Sequence, residues 1–183
     1  MNWLNSILIL LVAFLAVFME SVFDGARNLL GAQIDLLPAL MVYASLSSGL
    51  LTVTAVAVAG GLLFDTLSSN PLGISILPLF LPAYIIYVRR GLILREQFYA
   101  QIVLGLLASA FAPLLALLML SVTKQSPVLG WDSVWQWIVM SVGGAILTPF
   151  CFWLFDGLNH ALNYRPVVES SFRLDRQIKR GRQ

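Results

Sequence analysis

The sequence predicts an all-α polytopic membrane protein, both from its composition and from the way its apolar residues are distributed. Of its 183 residues, 59% are hydrophobic and only 11% are charged, whereas a typical soluble domain has about 25% charged residues. The apolar residues form continuous runs, not the alternating segments of about 10 residues that build a membrane β-barrel. We therefore expect a single bundle of transmembrane helices, with no nucleic-acid partner.

Five stretches without a charged residue mark the candidate spans. A helix needs about 20 residues to cross about 30 Å of hydrocarbon, and four of the stretches fit one span each. We interpret the first as a retained helix, because residues 1–5 include no Lys or Arg and residues 18–21 make a poor signal-peptide cleavage site. The stretches are residues 2–19, 36–64, 66–88, 97–123 and 133–155.

The stretch 36–64 predicts a helical hairpin. Its 29 residues are long for one span and short for two, and small polar residues interrupt it at Ser45–Gly49. Two short helices here, the second and third of the chain, make six transmembrane helices in total. Asp35 is suited to cap the first of these two, with Pro38 in its first turn. The pair Asn70–Pro71 is likewise suited to begin the next helix.

The distribution of Lys and Arg indicates the orientation, because positive residues concentrate in cytoplasmic loops. With six spans and a cytoplasmic N-terminus, nine of the eleven basic residues are inside. Five spans with an external N-terminus satisfy the rule equally well and stay an alternative. Both interpretations give a transmembrane bundle over residues 1–164 and a cytoplasmic tail over residues 165–183. The basic residues that are candidates to contact cytoplasmic partners or lipid on this side are Arg89, Arg90, Arg95, Arg173, Arg176, Lys179 and Arg180.

The tail over residues 165–183 has six basic and two acidic residues. It is suited to contact anionic phospholipid at about 1 kcal/mol per basic residue or to dock a cytoplasmic protein. A third interpretation is that these charges only set the topology, and the sequence leaves all three open.

Small residues recur four positions apart within the predicted spans. Pairs of this kind allow helix backbones to approach closely in lipid, although small residues are common in membrane helices in general. The pairs are Ser45/Gly49, Ala57/Gly61, Gly105/Ser109 and Gly144/Thr148.

The sequence offers few groups for catalysis or metal binding. It has one histidine and one cysteine, His160 and Cys151, and no His/Cys/carboxylate cluster with metal-ligand spacing. In the six-span interpretation Asp65 and Asp156 lie at opposite membrane faces, so they do not form an acid–base pair. We expect no enzymatic activity and no cofactor.

Asp65 is the most informative single residue. A charge at the bilayer centre costs about 2.5–3.5 kcal/mol, so Asp65 is expected either at the membrane edge or beside a partner inside. A carboxylate at the C-terminal end of a helix also opposes the helix dipole, which favours a constrained role over simple exposure. Glu20, near the end of the first span, is expected at the outer interface and is a second candidate for partner binding.

The order of segments around Asp65 resembles that of a known family. Asp35–Leu40 opens a short helix, Gly60–Asp65 ends the next one, and Asn70–Gly73 opens another hairpin. This order resembles the bacterial rod shape-determining protein MreD family, small multi-pass proteins with a Gly-x-x-x-Asp motif followed by a Leu-Gly pair. The specific likeness covers roughly residues 20–90. Beyond Gln97 it rests on hydrophobicity alone, and the tail is longer and more basic than the family pattern.

The resemblance implies a non-enzymatic scaffold of the cell-elongation complex in the bacterial inner (cytoplasmic) membrane. Such proteins associate with the bitopic protein MreC and help to join cytoplasmic MreB filaments to the peptidoglycan synthases, namely the elongation transpeptidase and glycosyltransferase. We expect the two short helices and the Asp65 turn to form a face for a partner's transmembrane helix. The candidates for partner binding or assembly are Asp65, Gly61, Asn70, Pro71, Gly73, Asp35 and Glu20.

A small-molecule carrier, such as the substrate-binding membrane subunit of a vitamin transporter, is the alternative function. Such subunits have a similar six-helix fold, but fold alone does not carry function. A carrier needs a polar pocket between helices, and the few available lining residues are Gln101, Tyr84 and Asp65.

Overall fold

A computed structural model describes residues 3–22, 31–68, 71–93, 97–122 and 130–162. These residues form α-helices and one short 3₁₀-helix, with no β-strand among them, so the prediction of an all-α protein is confirmed. The helices are α1 (Trp3–Val22), α2 (Leu37–Ser47), α3 (Leu50–Leu67), α4 (Ile76–Arg89), α5 (Phe98–Val122) and α6 (Trp131–Leu162), with the 3₁₀-helix at Arg90–Leu92. Four of them, α1, α3, α5 and α6, are long and apolar enough to cross a membrane, whereas α2 and α4 are apolar but shorter.

The predicted break in the long apolar stretch is confirmed, because only Ser48–Gly49 separates α2 from α3. Helix α2 has 11 residues and is therefore about 16 Å long. The expectation that α3 is also short is wrong: it has 18 residues and continues past Gly60–Gly61 to Leu67. The break falls after only 11 residues of helix, and Asp65 lies within α3 instead of ending it, so most of the length belongs to α3.

The short helix α2 forms the centre of the bundle. Residues 37–45 are all buried, and α2 packs against each of the other five helices. Tyr43 stacks on Phe155 of α6 with ring centroids 4.3 Å apart and meets the edge of Phe152 at 5.0 Å. The expectation that α2 presents a face to a partner helix is therefore wrong. A helix that is apolar on all sides is typical of a protein core, but a lipid-exposed helix has the same sequence pattern.

Polar contacts order the two ends of the bundle. Near the starts of α1 and α3, Ser6 Oγ lies 2.9 Å from Thr52 Oγ1, and the two helices pack against each other. They run in the same direction, so their C-terminal ends, with Glu20 and Asp65, lie together at one end. At the opposite end Arg90 donates a hydrogen bond to the carbonyl of Ser48, with an Nη1–O distance of 3.1 Å.

Helices α5 and α6 approach each other through small residues. A Cβ added at Gly105 would lie 2.5 Å from the carbonyl oxygen of Gly144, and one added at Gly144 would lie 3.0 Å from the carbonyl oxygen of Gly105. The same two additions would also collide with Thr148 and Ser109 respectively. Two of the predicted small-residue pairs therefore face each other across one interface.

The outward faces of the long helices carry large apolar side chains. Leu11 and Phe14 on α1, Phe111 on α5, and Ile146 and Trp153 on α6 are all more than half exposed. In water this much exposed apolar area would favour aggregation, whereas lipid chains solvate it. The surface of the described bundle is thus suited to a hydrocarbon environment.

Candidate assembly site around Asp65

Asp65 lies in the last turn of α3 and is only 1% exposed. Its carboxylate accepts three hydrogen bonds from the segment that follows the helix. Oδ2 accepts from the backbone N–H of Gly73 at 2.7 Å and of Ser75 at 3.2 Å, and Oδ1 accepts from the Ser75 hydroxyl at 2.5 Å. A buried carboxylate is costly unless hydrogen bonds or charges compensate it. Asp65 thus lies at one end of the bundle but is buried within the protein, and the partner that compensates its charge is a segment of the same chain.

The hydrogen bonds to Asp65 also decide where α4 begins. The prediction that a helix opens at Asn70–Pro71 is wrong, because residues 72–75 form a turn and α4 starts at Ile76. Gly73 has a φ of +91°, a left-handed conformation that glycine adopts without steric strain. The N–H groups before α4 thereby point at Asp65, which places a negative charge at a helix N-terminus, where it is favourable. This arrangement offsets the unfavourable position of the same charge at the C-terminal end of α3.

Gly61 allows α4 to pack directly on α3. A Cβ added at Gly61 would lie 3.0 Å from both the N and the Cα of Ile76, so a larger residue would push the first turn of α4 away. Gly61, Asp65, Gly73 and Ser75 therefore act as one unit, which we call the Asp65 clasp. Sequence reasoning missed Ser75. The usable signal was a serine, a preferred N-cap residue, immediately before an apolar run.

The Asp65 clasp is a structural tie. Both carboxylate oxygens are occupied by donors from the chain, and the side chain has almost no solvent contact. A general acid or base must instead reach the proton that it transfers. A partner protein would therefore contact the surface that α3 and α4 form together, whose shape depends on Asp65, and would not contact the carboxylate itself.

A second polar cluster ties the segment before α2 to α1 and α6, at the same end of the bundle. The Gln33 side chain donates to Glu20 Oε1 at 3.0 Å. The backbone N–H of Gln33 donates to Gln136 Oε1 at 2.9 Å. In return, the side-chain amide of Gln136 donates to the backbone carbonyl of Gln33 at 2.7 Å. The other Glu20 oxygen, Oε2, is buried and has no hydrogen-bond partner within the described residues. Sequence reasoning named Glu20 but missed Gln33 and Gln136, since isolated amides give no pattern.

Asp35 adjoins this cluster, but it is not the N-cap of α2 that the sequence predicted, because Leu36 takes that position and Asp35 lies one residue before it. Its Oδ1 accepts a hydrogen bond of 2.8 Å from the N–H of Leu37, the first residue of α2. The side chain is buried, with 8% exposure. Burial raises the pKa of Asp35 from 3.8 to about 6, and the hydrogen bond from Leu37 offsets part of that effect.

The two described arginines of the basic end differ in their surroundings. Besides its bond to Ser48, the Arg90 guanidinium lies over the ring of Tyr87, 4.4 Å from the centroid. Arg89 is exposed at the end of α4 and lines a groove between α4 and α5. The remaining predicted site residues lie outside the described residues; they are Asn70, Arg95, Arg173, Arg176, Lys179 and Arg180.

The three residues proposed to line a carrier pocket do not meet. Asp65 belongs to the clasp, and Tyr84 is 41% exposed on α4. Gln101 lines a groove of about 630 Å³ between α5 and α6, together with mainly apolar residues and Asp156. Among the residues placed by the structure, no group of three His, Cys, Asp or Glu side chains could hold a metal ion.

No protein-family model, curated protein or solved structure matches this chain.

Proposed function

We propose that this chain is a non-enzymatic scaffold of the bacterial cell-elongation complex, similar in role to members of the MreD family. It joins an MreC-like bitopic protein and the peptidoglycan synthases to MreB filaments and so maintains cell shape. In this proposal the chain crosses the cytoplasmic membrane six times, with its C-terminal tail in the cytoplasm.

The observation that carries the proposal is the Asp65 clasp. Of the residues behind the family resemblance, Asp65 accepts a hydrogen bond from Gly73, and Gly61 lies against Ile76 at the start of the next helix. A chance likeness of sequence would not require these residues to meet. Their contact supports the idea that the motif fixes the angle between α3 and α4, and with it the outer surface offered to a partner.

The short helices are compatible with six crossings. Helices α2 and α4 are about 16 and 21 Å long, less than the hydrocarbon thickness of about 30 Å. Because α2 is enclosed by the other five helices, its length need not match the lipid. For α4, tilted neighbours and local thinning of the bilayer accommodate the difference at modest cost.

The test compares Asp65→Ala with Cys151→Ala in co-purification with the MreC-like partner. Both residues are buried, so the pair separates loss of the clasp from loss of a buried side chain in general. We expect Asp65→Ala to lower recovery of the partner, normalised to the amount of chain in the membrane, and Cys151→Ala to retain it. Equal and full recovery with both variants would remove the case for the clasp, and a stoichiometric small molecule in place of a protein would favour the carrier.

A further inference from the structure

A narrow apolar groove runs between α4 and α5. Its volume is about 390 Å³. The floor is formed by the buried side chains of Ile86 and Ala108, and the rims carry exposed apolar side chains. The lining residues are Leu81, Pro82, Ile85, Ile86, Arg89, Ile93, Leu104, Leu107, Ala108, Phe111 and Leu115. Arg89 is thus the one charged residue among them, and it lies at the end of the groove that is marked by the C-terminus of α4.

The length of the groove matches one leaflet of a bilayer. Along α5 the lining runs from Leu104 to Leu115, about 16 Å at about 1.5 Å per residue. One leaflet contributes about 15 Å, half of the hydrocarbon core of about 30 Å. With Arg89 at headgroup level, the far end of the groove near Leu81 and Leu115 reaches the middle of the membrane.

The two arginines at the end of the groove differ in the contacts that they make with the described residues. Arg90 already donates to Ser48 and stacks on Tyr87. Arg89 is exposed, and it makes no hydrogen bond or ion pair with any residue that the structure describes. A guanidinium group offers a fork of N–H donors that fits phosphate oxygens.

The shape of the groove favours a thin chain over a protein helix. Small residues at the contact favour close helix packing in lipid, whereas the rims of this groove carry the large side chains of Leu81, Ile85, Leu107 and Phe111.

We propose that this groove binds one acyl chain of an anionic phospholipid, whose phosphate is held by Arg89. The site is independent of the scaffold proposal, since it needs neither the Asp65 clasp nor a protein partner. It would give the bundle a specific lipid at the boundary between α4 and α5.

The experiment measures binding of phosphatidylglycerol to the detergent-purified full-length chain by native mass spectrometry. Phosphatidylcholine with identical acyl chains is the reference lipid. Arg89→Gln removes the proposed phosphate contact, and Arg90→Gln removes an equal charge beside it. Leu107→Trp fills the groove from its exposed rim, and Leu106→Trp places the same bulk on an exposed position of α5 that does not line the groove.

We expect phosphatidylglycerol to bind at least about fivefold more tightly than phosphatidylcholine, which corresponds to about 1 kcal/mol for one basic residue. Arg89→Gln should remove this preference, and Leu107→Trp should weaken binding of phosphatidylglycerol by a similar factor. The two control variants should bind as the wild type does. Equal losses in Arg89→Gln and Arg90→Gln, or unchanged binding in Leu107→Trp, would overturn the proposal.

Discussion

Replacing Asp65 with alanine should destabilise the bundle by about 3–4 kcal/mol. The change removes the acceptor of two backbone N–H groups and one hydroxyl in a site with almost no solvent contact. Each buried donor left without a partner costs about 1–3 kcal/mol, and the Ser75 hydroxyl can rotate to limit its share. Because native proteins are stable by only about 5–15 kcal/mol, such a loss is a large fraction of the total.

The variant Asp65→Asn should lose only about 1 kcal/mol, because a carboxamide has both acceptor and donor groups. Its oxygen can accept from the N–H groups of Gly73 and Ser75, while its NH₂ can donate to the Ser75 hydroxyl. What is lost is the charge of the acceptor, which makes hydrogen bonds roughly twice as strong as neutral ones. The pair of variants thus separates hydrogen-bonding geometry from charge.

The assay is equilibrium unfolding of the detergent-solubilised chain, followed by the fluorescence of its five tryptophans. Thr66→Ala is the matched control, since Thr66 is the exposed neighbour of Asp65 and its hydroxyl donates to the carbonyl of Leu63 within α3. We expect this control to lie within about 0.5 kcal/mol of the wild type. The reasoning is refuted if Asp65→Ala is equally mild, or if Asp65→Asn is as damaging as Asp65→Ala.

Two further predictions concern stability. Gly61→Ala should lower the free energy of unfolding by about 1–3 kcal/mol, because the added methyl overpacks against Ile76. Gly157→Ala is the control and should be neutral or slightly stabilising, because its added methyl meets nothing within 4 Å. Equal unfolding midpoints for the two variants would contradict this prediction. Because burial raises the pKa of Asp35 from 3.8 to about 6, the folded chain holds that proton more tightly than the unfolded chain. Its contribution, about 3 kcal/mol at most, is therefore present below about pH 3.8 and lost as the pH rises through about 6. Asp35→Asn should reduce the change in Tm between pH 4 and pH 7 without removing it, because Glu20 is a second buried carboxyl group that interacts with Asp35. Parallel Tm profiles for both proteins would show that Asp35 does not contribute.

The boundaries set by local signals could be predicted from the sequence. The break between α2 and α3 follows from small polar residues at Ser48–Gly49, and the approach of α5 to α6 follows from the spacing of Gly105 and Gly144 with their small neighbours. The hydrogen bond from the N–H of Leu37 to Asp35 is likewise a local event, although Asp35 lies one residue before the cap position predicted for it. The break and the Asp35 contact depend on residues within one turn of each feature, whereas the small residues of α5 and α6 mark faces suited to close packing without indicating which helix each one meets.

Features set by distant residues could not be predicted. The start of α4 at Ile76 depends on Asp65, which takes the N–H of Ser75 ten residues later in the chain. A local N-cap pattern at Asn70–Pro71 gives no sign of that competition. The central position of α2 was equally hidden, because a helix buried by protein and a helix facing lipid have the same apolar composition. Only the packing of all six helices distinguishes the two.

The central claim, that this bundle is a scaffold for other membrane proteins, is tested most directly by isolating the tagged chain from its native membrane in lipid nanodiscs. The account predicts that a bitopic protein is recovered in stoichiometric amount, with its transmembrane helix in contact with the bundle. Recovery of the chain without a protein partner, but with a metabolite enclosed between its helices, would contradict the account.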